Sequence, residues 1–262
     1  MLSHSIYKHT ESKEWVTFVH GAGGSSTIWF KQIREFRRHF NVLILDLRGH
    51  GRSKNHIKSF FENRYTFQSI ANDVLELLDY LNIKKTHFVG ISLGTIIIRQ
   101  LAEEFPDRIA SMVMGGAVMK MNIKGRFLMN IGNLFKNMIP YLFLYKIFAF
   151  AIMPKNTHKE SRSLFINEAK KLYQGEFLKW FKLTSDINPL LNVFRQVEIK
   201  IPTFYIMGDE DHMFLPSITK LVKEHYRSAQ LFVVKNCGHV VNVDQATVFN
   251  EKVIEFIKKH SK

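Results

Sequence analysis

The sequence predicts an α/β protein with a mostly parallel central sheet, helices on both faces of that sheet and an inserted helical segment. Short apolar runs alternate with helical patterns near both ends of the chain, which is typical of βαβ units. One strand-to-helix junction carries the run Gly90-Ile91-Ser92-Leu93-Gly94. From Lys120 to about Asn192 only helical patterns occur. A chain of 262 residues is long enough for one such domain with an insertion.

The N-terminal part of the sheet is predicted from four apolar runs separated by helical patterns. The runs lie at residues 14–19, 41–45, 86–89 and 109–115. The helical patterns lie at about 26–36, at 70–81 and from the junction at Ser92 to Glu104. Strands that are joined by helical crossovers pair in parallel, so this half of the chain predicts four parallel strands.

The sheet pattern resumes after the helical insertion. Residues 202–207 and 230–234 have the pattern of strands, and residues 217–225 and about 245–259 have the pattern of helices. We therefore expect a core formed by residues 1–118 and 193–262, with residues 119–192 as a helical cap over a pocket. Residues 126–153 are densely apolar, but Lys136, Pro140 and Lys146 interrupt every window long enough to span a membrane. No transmembrane segment is expected.

Ser92 lies where the chain reverses from a strand into a helix. A Cβ at position 90 or 94 would crowd the helix that packs back against the strand, which explains the glycine at each place. The serine at the apex is then held in a strained conformation with its hydroxyl pointing out of the sheet. Ser92 is therefore predicted to be a nucleophile, and it needs an adjacent base at neutral pH.

The net charge of +14 is concentrated in the helical segment. Between Lys120 and Asp186 there are 12 Lys and Arg residues against 4 Asp and Glu residues. A solvated, lysine-rich surface is the plainest interpretation, and attraction to anionic substrates or weak association with an anionic membrane is the alternative. No recognition motif for nucleic acid accompanies the charge, so nucleic acid is not expected as a partner.

No cofactor and no metal are expected. The glycine cluster from His20 to Ser26 lacks the Gly-Lys-Ser/Thr of a phosphate loop and the third glycine of a dinucleotide-binding fingerprint. Cys237 is the single cysteine, which excludes an intramolecular disulfide and a thiolate cluster, and no His/Glu spacing indicates a metal site. The first residues show no basic or apolar region of a secretory signal, so a cytoplasmic protein is expected.

Four separated motifs resemble those of the α/β-hydrolase superfamily. They are His20-Gly21-Ala22-Gly23, the loop from Asp46 to Ser53, Gly90-Ile91-Ser92-Leu93-Gly94, and Gly208-x-x-Asp211 with Gly238-His239. The order serine, acid, histidine is the one that this fold uses. One departure lies at the N-terminus, where only residues 5–9 could form a strand before Trp15. We therefore expect a shortened opening hairpin and a sheet that lacks its first antiparallel strand.

The resemblance implies a catalytic triad of Ser92, Asp211 and His239. Asp209 and Glu210 are alternatives for the acid, and His20 and His212 are lower-ranked alternatives for the base. The resemblance also implies an oxyanion hole made of the backbone N–H groups of Ala22 and Leu93. Asp46, Arg48 and Ser53 are expected to be structural, and Cys237 to pack in the interior.

The function implied is that of a serine hydrolase acting on a carboxylic ester or thioester of a hydrophobic small molecule. A serine rather than an aspartate at the junction argues against haloalkane dehalogenases and epoxide hydrolases. Two alternatives stay open, because fold and triad do not fix the reaction. One is a cofactor-free haloperoxidase, perhydrolase or menaquinone-pathway lyase that uses the same triad. The other is a ligand receptor with the hydrolase fold and little turnover.

Overall fold

A computed structural model describes residues 1–56, 61–62, 64–120, 123–135, 138–185, 187–224, 226 and 228–261. Within these residues the sheet has seven strands in the order β1-β3-β2-β4-β5-β6-β7. The strands are β1 (His4–Tyr7), β2 (Trp15–Val19), β3 (Asn41–Leu45), β4 (Thr86–Ile91), β5 (Ile109–Gly115), β6 (Thr203–Gly208) and β7 (Gln230–Val234). All neighbouring pairs are parallel except β1 with β3. The predicted fold class is confirmed.

The edge strand β1 corrects one expectation. β1 pairs antiparallel with β3, with His4 opposite Leu45 and Tyr7 opposite Val42. The expectation that the sheet lacks an antiparallel first strand is therefore wrong. The strand has only 4 residues and includes polar ones, so its sequence carries no clear alternation. It is stabilised by its partner in the sheet rather than by a hairpin with β2.

Helices follow most strands and also fill the insertion. They are α1 (Ile33–Phe36), α2 (Phe67–Tyr80), α3 (Leu93–Glu104), α4 (Ile123–Phe135), α5 (Tyr141–Ile152), α6 (Lys159–Ala169), α7 (Gln174–Ser185), α8 (Asn188–Gln196), α9 (Leu215–Glu224), α10 (Val241–Asp244) and α11 (Ala246–Lys259). Helix α9 ends at Glu224. The helix predicted at 217–225 ends at His225, which lies outside the described residues. In the described part of the chain no helix is both long and apolar enough to cross a bilayer.

The helix predicted at 26–36 is divided into two short pieces. A 3₁₀ turn covers Ser26–Trp29, and α1 follows as a separate helix. The Asp46 carboxylate accepts the Ser26 N–H at 2.6 Å, and the side chain of Gln32 donates to the Asn242 carbonyl at 2.9 Å. These partners are remote in sequence, so they override the local helical pattern.

Two apolar layers cover the two faces of the sheet. On one face α2 and α3 contribute Ile70, Val74, Ile97 and Leu101 to a buried cluster. On the other face Phe36, Val253 and Phe256 of α1 and α11 pack with Phe18 of β2. A sheet that is covered on both faces explains why β3 and β4 are buried throughout.

Helices α4 to α8 lie between β5 and β6 in the sequence, and several of them share an apolar cluster of their own. That cluster contains Leu144, Tyr145, Leu172, Phe177 and Phe181. Side chains of this segment therefore bury each other as well as contacting the core.

Two hydrogen bonds join α7 to the core. The Trp180 indole N–H donates to the Arg48 carbonyl at 3.1 Å, and the Tyr65 hydroxyl donates to Glu176 at 2.6 Å. Gly49 lies beside this joint with φ +74°, and a Cβ there would come within 2.2 Å of the Glu176 carboxylate. Glycine is therefore required at position 49 for α7 to approach the core.

Candidate active site

Ser92 lies at the junction of β4 and α3 with φ 53° and ψ −120°. Its N–H donates to the Gly115 carbonyl at 2.9 Å, which fixes the turn to β5. A Cβ at Gly94 would lie 2.3 Å from the Val19 carbonyl oxygen, and one at Gly90 would lie 2.5 Å from the Ile98 side chain. The close approach of α3 to the sheet thus depends on the two glycines, and it holds Ser92 in the left-handed region at the apex.

His239 lies beside Ser92 on the loop between β7 and α10. Its Nε2 is 2.9 Å from the Ser92 hydroxyl oxygen, and its Nδ1 is 2.7 Å from Oδ2 of Asp211. An ionised carboxylate only accepts hydrogen bonds, so Nδ1–H donates to Asp211 and Nε2 is left to accept from the serine. The histidine and the aspartate are 3% and 1% exposed. Water therefore competes little with either hydrogen bond.

Asp211 is oriented by the start of α9. Its second oxygen, Oδ1, accepts the Phe214 N–H at 3.1 Å, while the Phe214 ring lies 5.1 Å from the imidazole. The alternative acids face elsewhere: Asp209 accepts the Cys237 N–H at 3.3 Å, and Glu210 binds Lys155 and His158. Of the three candidate acids, the structure brings Asp211 to His239.

Two buried histidines support the glycine loop after β2. His20 accepts the Leu47 N–H through Nε2 at 3.0 Å and donates from Nδ1 to the Gly21 carbonyl at 2.8 Å. His50 accepts the Gly23 N–H through Nε2 at 3.0 Å and donates from Nδ1 to the Arg48 carbonyl at 3.1 Å. Each ring uses one nitrogen as donor and one as acceptor, so both are neutral. Burial lowers the pKa of His20 and brings the pKa of His50 to about 3.

Ala22 lies far before Ser92 in the sequence, and Leu93 directly follows it. Both residues line the same cavity as the serine. Among the described residues, no acceptor engages the N–H of either one. A Cβ on neighbouring Gly21 would lie 3.2 Å from Cβ of Ser92, so the glycine loop passes directly beside the serine. Leu93 also opens α3, and the first N–H groups of a helix are free to bind an oxygen of a ligand.

The cavity above Ser92 encloses about 200 Å³ and is lined mainly by apolar side chains. Helical spacing explains the lining, since residues three and four apart lie on one face. The inserted helices contribute Met129 from α4, Tyr145, Phe148 and Ile152 from α5, Leu164, Phe165 and Glu168 from α6, and Phe177, Trp180, Phe181 and Thr184 from α7. His239 and the glycine loop also line the cavity.

Glu168 was missed by the sequence analysis. Among the described residues that line the cavity it supplies the one carboxylate, and its Oε1 lies 2.5 Å from the ammonium group of Lys171. The available signal was the spacing of Leu164, Phe165 and Glu168, which places all three on one face of α6. Glu168 lies beyond the densely apolar run at 126–153.

A second polar cluster lies behind His239. The His158 Nε2 is 2.8 Å from the carboxylate of Glu210, whose other oxygen is 2.6 Å from the Lys155 ammonium group. The hydrogen bond from Lys155, with a further one from His158, lowers the pKa of Glu210. A Cβ at Gly238 would lie 2.7 Å from the His158 ring, so the insertion packs tightly against the loop that carries His239.

Several residues singled out in the sequence lie outside this arrangement. His212 is exposed, and Cys237 is buried in the core, where desolvation raises the pKa of its thiol. Asp46 and Ser53 hold the loop after β3 through backbone hydrogen bonds, at 2.6 Å to the Ser26 N–H and 2.8 Å to the Asp46 carbonyl. In the described part of the chain no group of three or more His, Cys, Asp and Glu side chains is arranged to hold a metal ion.

Residues 14–246 match the family model described as the alpha/beta hydrolase fold. That match spans most of the chain. The protein therefore belongs to the α/β-hydrolase family, in agreement with the seven-stranded sheet of the described residues and the serine at the strand-to-helix junction.

Two of the relatives of the chain have names of hydrolases. The chain is 26% identical to the putative carbamate hydrolase RutD of Acinetobacter baylyi, over 98% of this chain and 98% of that one. It is 24% identical to the uncharacterized carboxylesterase nap of Bacillus subtilis, over 97% of this chain and 82% of that one. The enol-lactonase of Burkholderia xenovorans superposes with a TM-score of 0.80 at 20% identity, over 98% of this chain and 96% of that one. At 20% identity, the similarity to the enol-lactonase shows the fold alone.

The buried histidines predict how stability depends on pH. In the unfolded chain both take up a proton near pH 6.5, whereas in the fold their pKa values are lowered, His50 to about 3. Below pH 6.5 the unfolded state therefore binds more protons, and the free energy of unfolding falls as the pH falls. Each histidine contributes a slope of up to about 1.4 kcal/mol per pH unit. Urea unfolding at about pH 7, 6 and 5 measures this dependence of the unfolding free energy on pH.

Substitution isolates the contribution of His50. His50→Gln should make the fall in unfolding free energy between neutral and acidic pH shallower than in the wild type. His212→Gln, at an exposed histidine on another loop, is the matched control and should keep the wild-type slope. An unchanged slope in His50→Gln would contradict the assignment of a neutral, buried ring.

Proposed function

We propose that the protein is a serine hydrolase that cleaves a carboxylic ester or thioester of a hydrophobic small molecule through an acyl-enzyme on Ser92. One observation carries this proposal. The hydroxyl of Ser92, the imidazole of His239 and the carboxylate of Asp211 form one hydrogen-bonded chain, with distances of 2.9 and 2.7 Å, at the wall of an apolar cavity. A nucleophile, a base and a group that orients the base are what acyl transfer requires.

The first half-reaction forms the acyl-enzyme. The Nε2 of His239 takes the hydroxyl proton as Oγ of Ser92 attacks the carbonyl carbon of the substrate. The carbonyl oxygen becomes an oxyanion, which the N–H groups of Ala22 and Leu93 receive. Each such donor stabilises the transition state by about 2.7–4 kcal/mol. Asp211 stays ionised throughout, and it holds the ring tautomer and offsets the imidazolium charge.

Collapse of the oxyanion breaks the bond to the leaving group. His239 gives its proton to the departing alcohol or thiol, which leaves the acyl group on the Oγ of Ser92. Water then enters, His239 removes one of its protons, and the resulting hydroxide attacks the acyl carbon. The same N–H groups receive the second oxyanion. The carboxylic acid leaves as the proton returns from His239 to Ser92.

The lining of the cavity supports a hydrophobic, uncharged acyl group. We propose that residues 119–192 act as a cap whose inner side chains form this wall. Among the described residues that line the cavity there is no lysine or arginine, and the carboxylate of Glu168 is already paired with Lys171. A carboxylate in the acyl chain of a substrate would therefore lose its water without gaining a cationic partner in the lining. We also propose a cytoplasmic location.

The two alternatives share the same three residues. A haloperoxidase, perhydrolase or menaquinone-pathway lyase would use the Ser92, His239 and Asp211 arrangement for different chemistry, and a receptor would bind without turnover. Multiple turnovers on a simple ester at the rate of known esterases favour the proposal. A single turnover followed by a stable acyl-enzyme would favour the receptor, because the deacylation half-reaction would be missing.

The triad is tested by three substitutions. Ser92→Ala should reduce kcat for p-nitrophenyl butanoate by roughly 10⁴–10⁶, because the nucleophile is removed while the cavity is kept. Asp211→Asn should reduce kcat by about 10⁴, since the wrong tautomer of His239 becomes favoured. Asp209→Asn is the matched control, because this carboxylate binds the Cys237 N–H and not the imidazole. If the activity of Ser92→Ala stayed within about tenfold of the wild type, the proposal would be contradicted.

The chain-length preference is tested with a pair of substitutions on α5. Phe148 lines the cavity, whereas Phe143 of the same helix is exposed. In the wild type kcat/KM should rise from acetyl to butanoyl or hexanoyl esters, with about 0.8 kcal/mol gained per buried CH₂, and fall for longer chains. Phe148→Ala enlarges the cavity and should move the optimum towards longer acyl chains.

Phe143→Ala is the control for this shift. It should leave the chain-length optimum where it is in the wild type, because its ring lies outside the cavity. Equal profiles for both variants, or a wild-type profile that does not vary with chain length, would show that the cavity does not hold the acyl group.

A further inference from the structure

The outer face of α4 and α5 carries large exposed apolar side chains. We use the name outer face for Phe127, Ile131 and Leu134 of α4 together with Phe143, Ile147 and Phe150 of α5. Within each helix the three residues follow the spacing i, i+4, i+7, which places them on one side. Phe127 is 65% exposed, and Phe143 and Phe150 are 54% exposed. Large exposed apolar side chains along one side of a helix are typical of a surface that binds a partner.

The opposite sides of the same helices are already buried. Met129 of α4 and Phe148 of α5 line the cavity, and Leu144 and Tyr145 belong to the apolar cluster of the insertion. The two helices are neighbours, since a Cβ at Gly132 would lie 3.1 Å from the Phe148 ring. Packing inside the protein therefore accounts for the inner sides only. Of the densely apolar run at 126–153, some side chains thus face inward and others, such as Phe143, face outward.

The sequence that contains α4 and α5 is basic. Between Lys120 and Lys159 the sequence contains seven Lys and Arg residues and no Asp or Glu residue. Lys146 lies between Phe143 and Ile147 on the exposed side of α5. The guanidinium of Arg162 lies 4.4 Å from the centroid of the Phe150 ring, which brings a cation against the apolar surface. Apolar and cationic groups are thus combined over the same two helices.

We propose that the outer face docks on an anionic lipid surface. Helices that bind in a membrane interface combine bulky apolar residues with Lys and Arg, and each basic residue near an anionic surface adds to the affinity. Helices α4 and α5 have 13 and 12 residues, which is too short to span a bilayer, so they would lie in its plane. The charge complementarity favours anionic lipid over a second copy of this chain, whose net charge of +14 would repel it.

Docking would set the cavity next to the lipid. The inner sides of α4 and α5 line the cavity, so the outer face and the cavity are separated by the thickness of one helix layer. Apolar substrates dissolved in the bilayer would then be close to the cavity. This consequence rests on the proposed function, whereas the docking itself does not, and binding is therefore measured without any substrate.

The test is flotation of the full chain with vesicles. Vesicles of phosphatidylcholine with about 30 mol % phosphatidylglycerol should carry the protein to the top of a sucrose gradient at low salt. Pure phosphatidylcholine vesicles should carry at least about tenfold less, and about 0.5 M NaCl should release most of the protein from the anionic vesicles. Absence of binding to anionic vesicles at low salt would overturn the proposal.

Matched variants locate the contact. Phe127→Ser combined with Phe143→Ser should weaken binding about tenfold or more, because two rings no longer enter the interface. Tyr80→Ser, an exposed aromatic of α2, is the control and should bind like the wild type. Lys146→Glu should weaken binding about fivefold or more, whereas Lys220→Glu on α9 should not. Circular dichroism and thermal unfolding verify that each variant is folded.

Two results would overturn the assignment of the surface. Binding to anionic vesicles that is unchanged in the Phe127→Ser, Phe143→Ser variant would place the contact elsewhere. Sedimentation that shows a dimer of the wild type, converted to a monomer by the same pair of substitutions, would assign the outer face to a second copy of the chain. Neither measurement uses ester hydrolysis. The docking proposal can therefore fail while the proposed function stands, and the proposed function can fail while the docking stands.

Discussion

The backbone of Ser92 is the constraint on which the candidate site depends. Its φ of 53° lies in a region that costs a residue with a side chain about 1–3 kcal/mol, and the surrounding packing must supply that energy. Gly90 and Gly94 let α3 approach the sheet so closely that a Cβ at either position would clash with its neighbours. The hydroxyl is thereby fixed before any substrate arrives, and His239 and Asp211 need only be delivered to it by the loops after β7 and β6.

Buried polar side chains turn loops into rigid supports around this serine. The loop from Asp46 to Ser53 serves two neighbours at once. Its His50 fixes the glycine loop beside Ser92, and the Arg48 carbonyl receives the indole of Trp180 from the insertion. The Arg48 side chain is itself buried and paired with Asp73 at 2.5 Å. Because a buried ion pair is costly to break, this pair stabilises the loop that contacts both the cavity wall and the glycine loop.

Local patterns in the sequence predict the fold well where one cause dominates. Strands β3, β5 and β7 begin and end where the apolar runs at 41–45, 109–115 and 230–234 predict, because both faces or one face of each strand are buried. The sequence pattern fails to predict an element where hydrogen-bond partners remote in sequence determine its structure. Asp46 and Gln32 divide the predicted helix at 26–36, and the edge strand β1 exists through pairing with β3. Ser92 is predicted from its strand-to-helix junction, and Asp211 and His239 from the resemblance of their motifs to those of the family, whereas Glu168 has no such marker.

Identification of the residue that carries a covalent adduct tests the central claim most directly. The full chain is treated with a fluorophosphonate, digested, and analysed by tandem mass spectrometry of its peptides. The account predicts a single phosphonyl group on the Oγ of Ser92, since this hydroxyl lies 2.9 Å from an imidazole nitrogen and lines the cavity. The hydroxyl of Ser111 lies 2.7 Å from Nδ1 of His87, but this serine is fully buried away from any reagent. The account also predicts that the adduct disappears when Asp211 is replaced by Asn or when the chain is unfolded before treatment. An adduct on another serine, or none on the folded wild type, would contradict it.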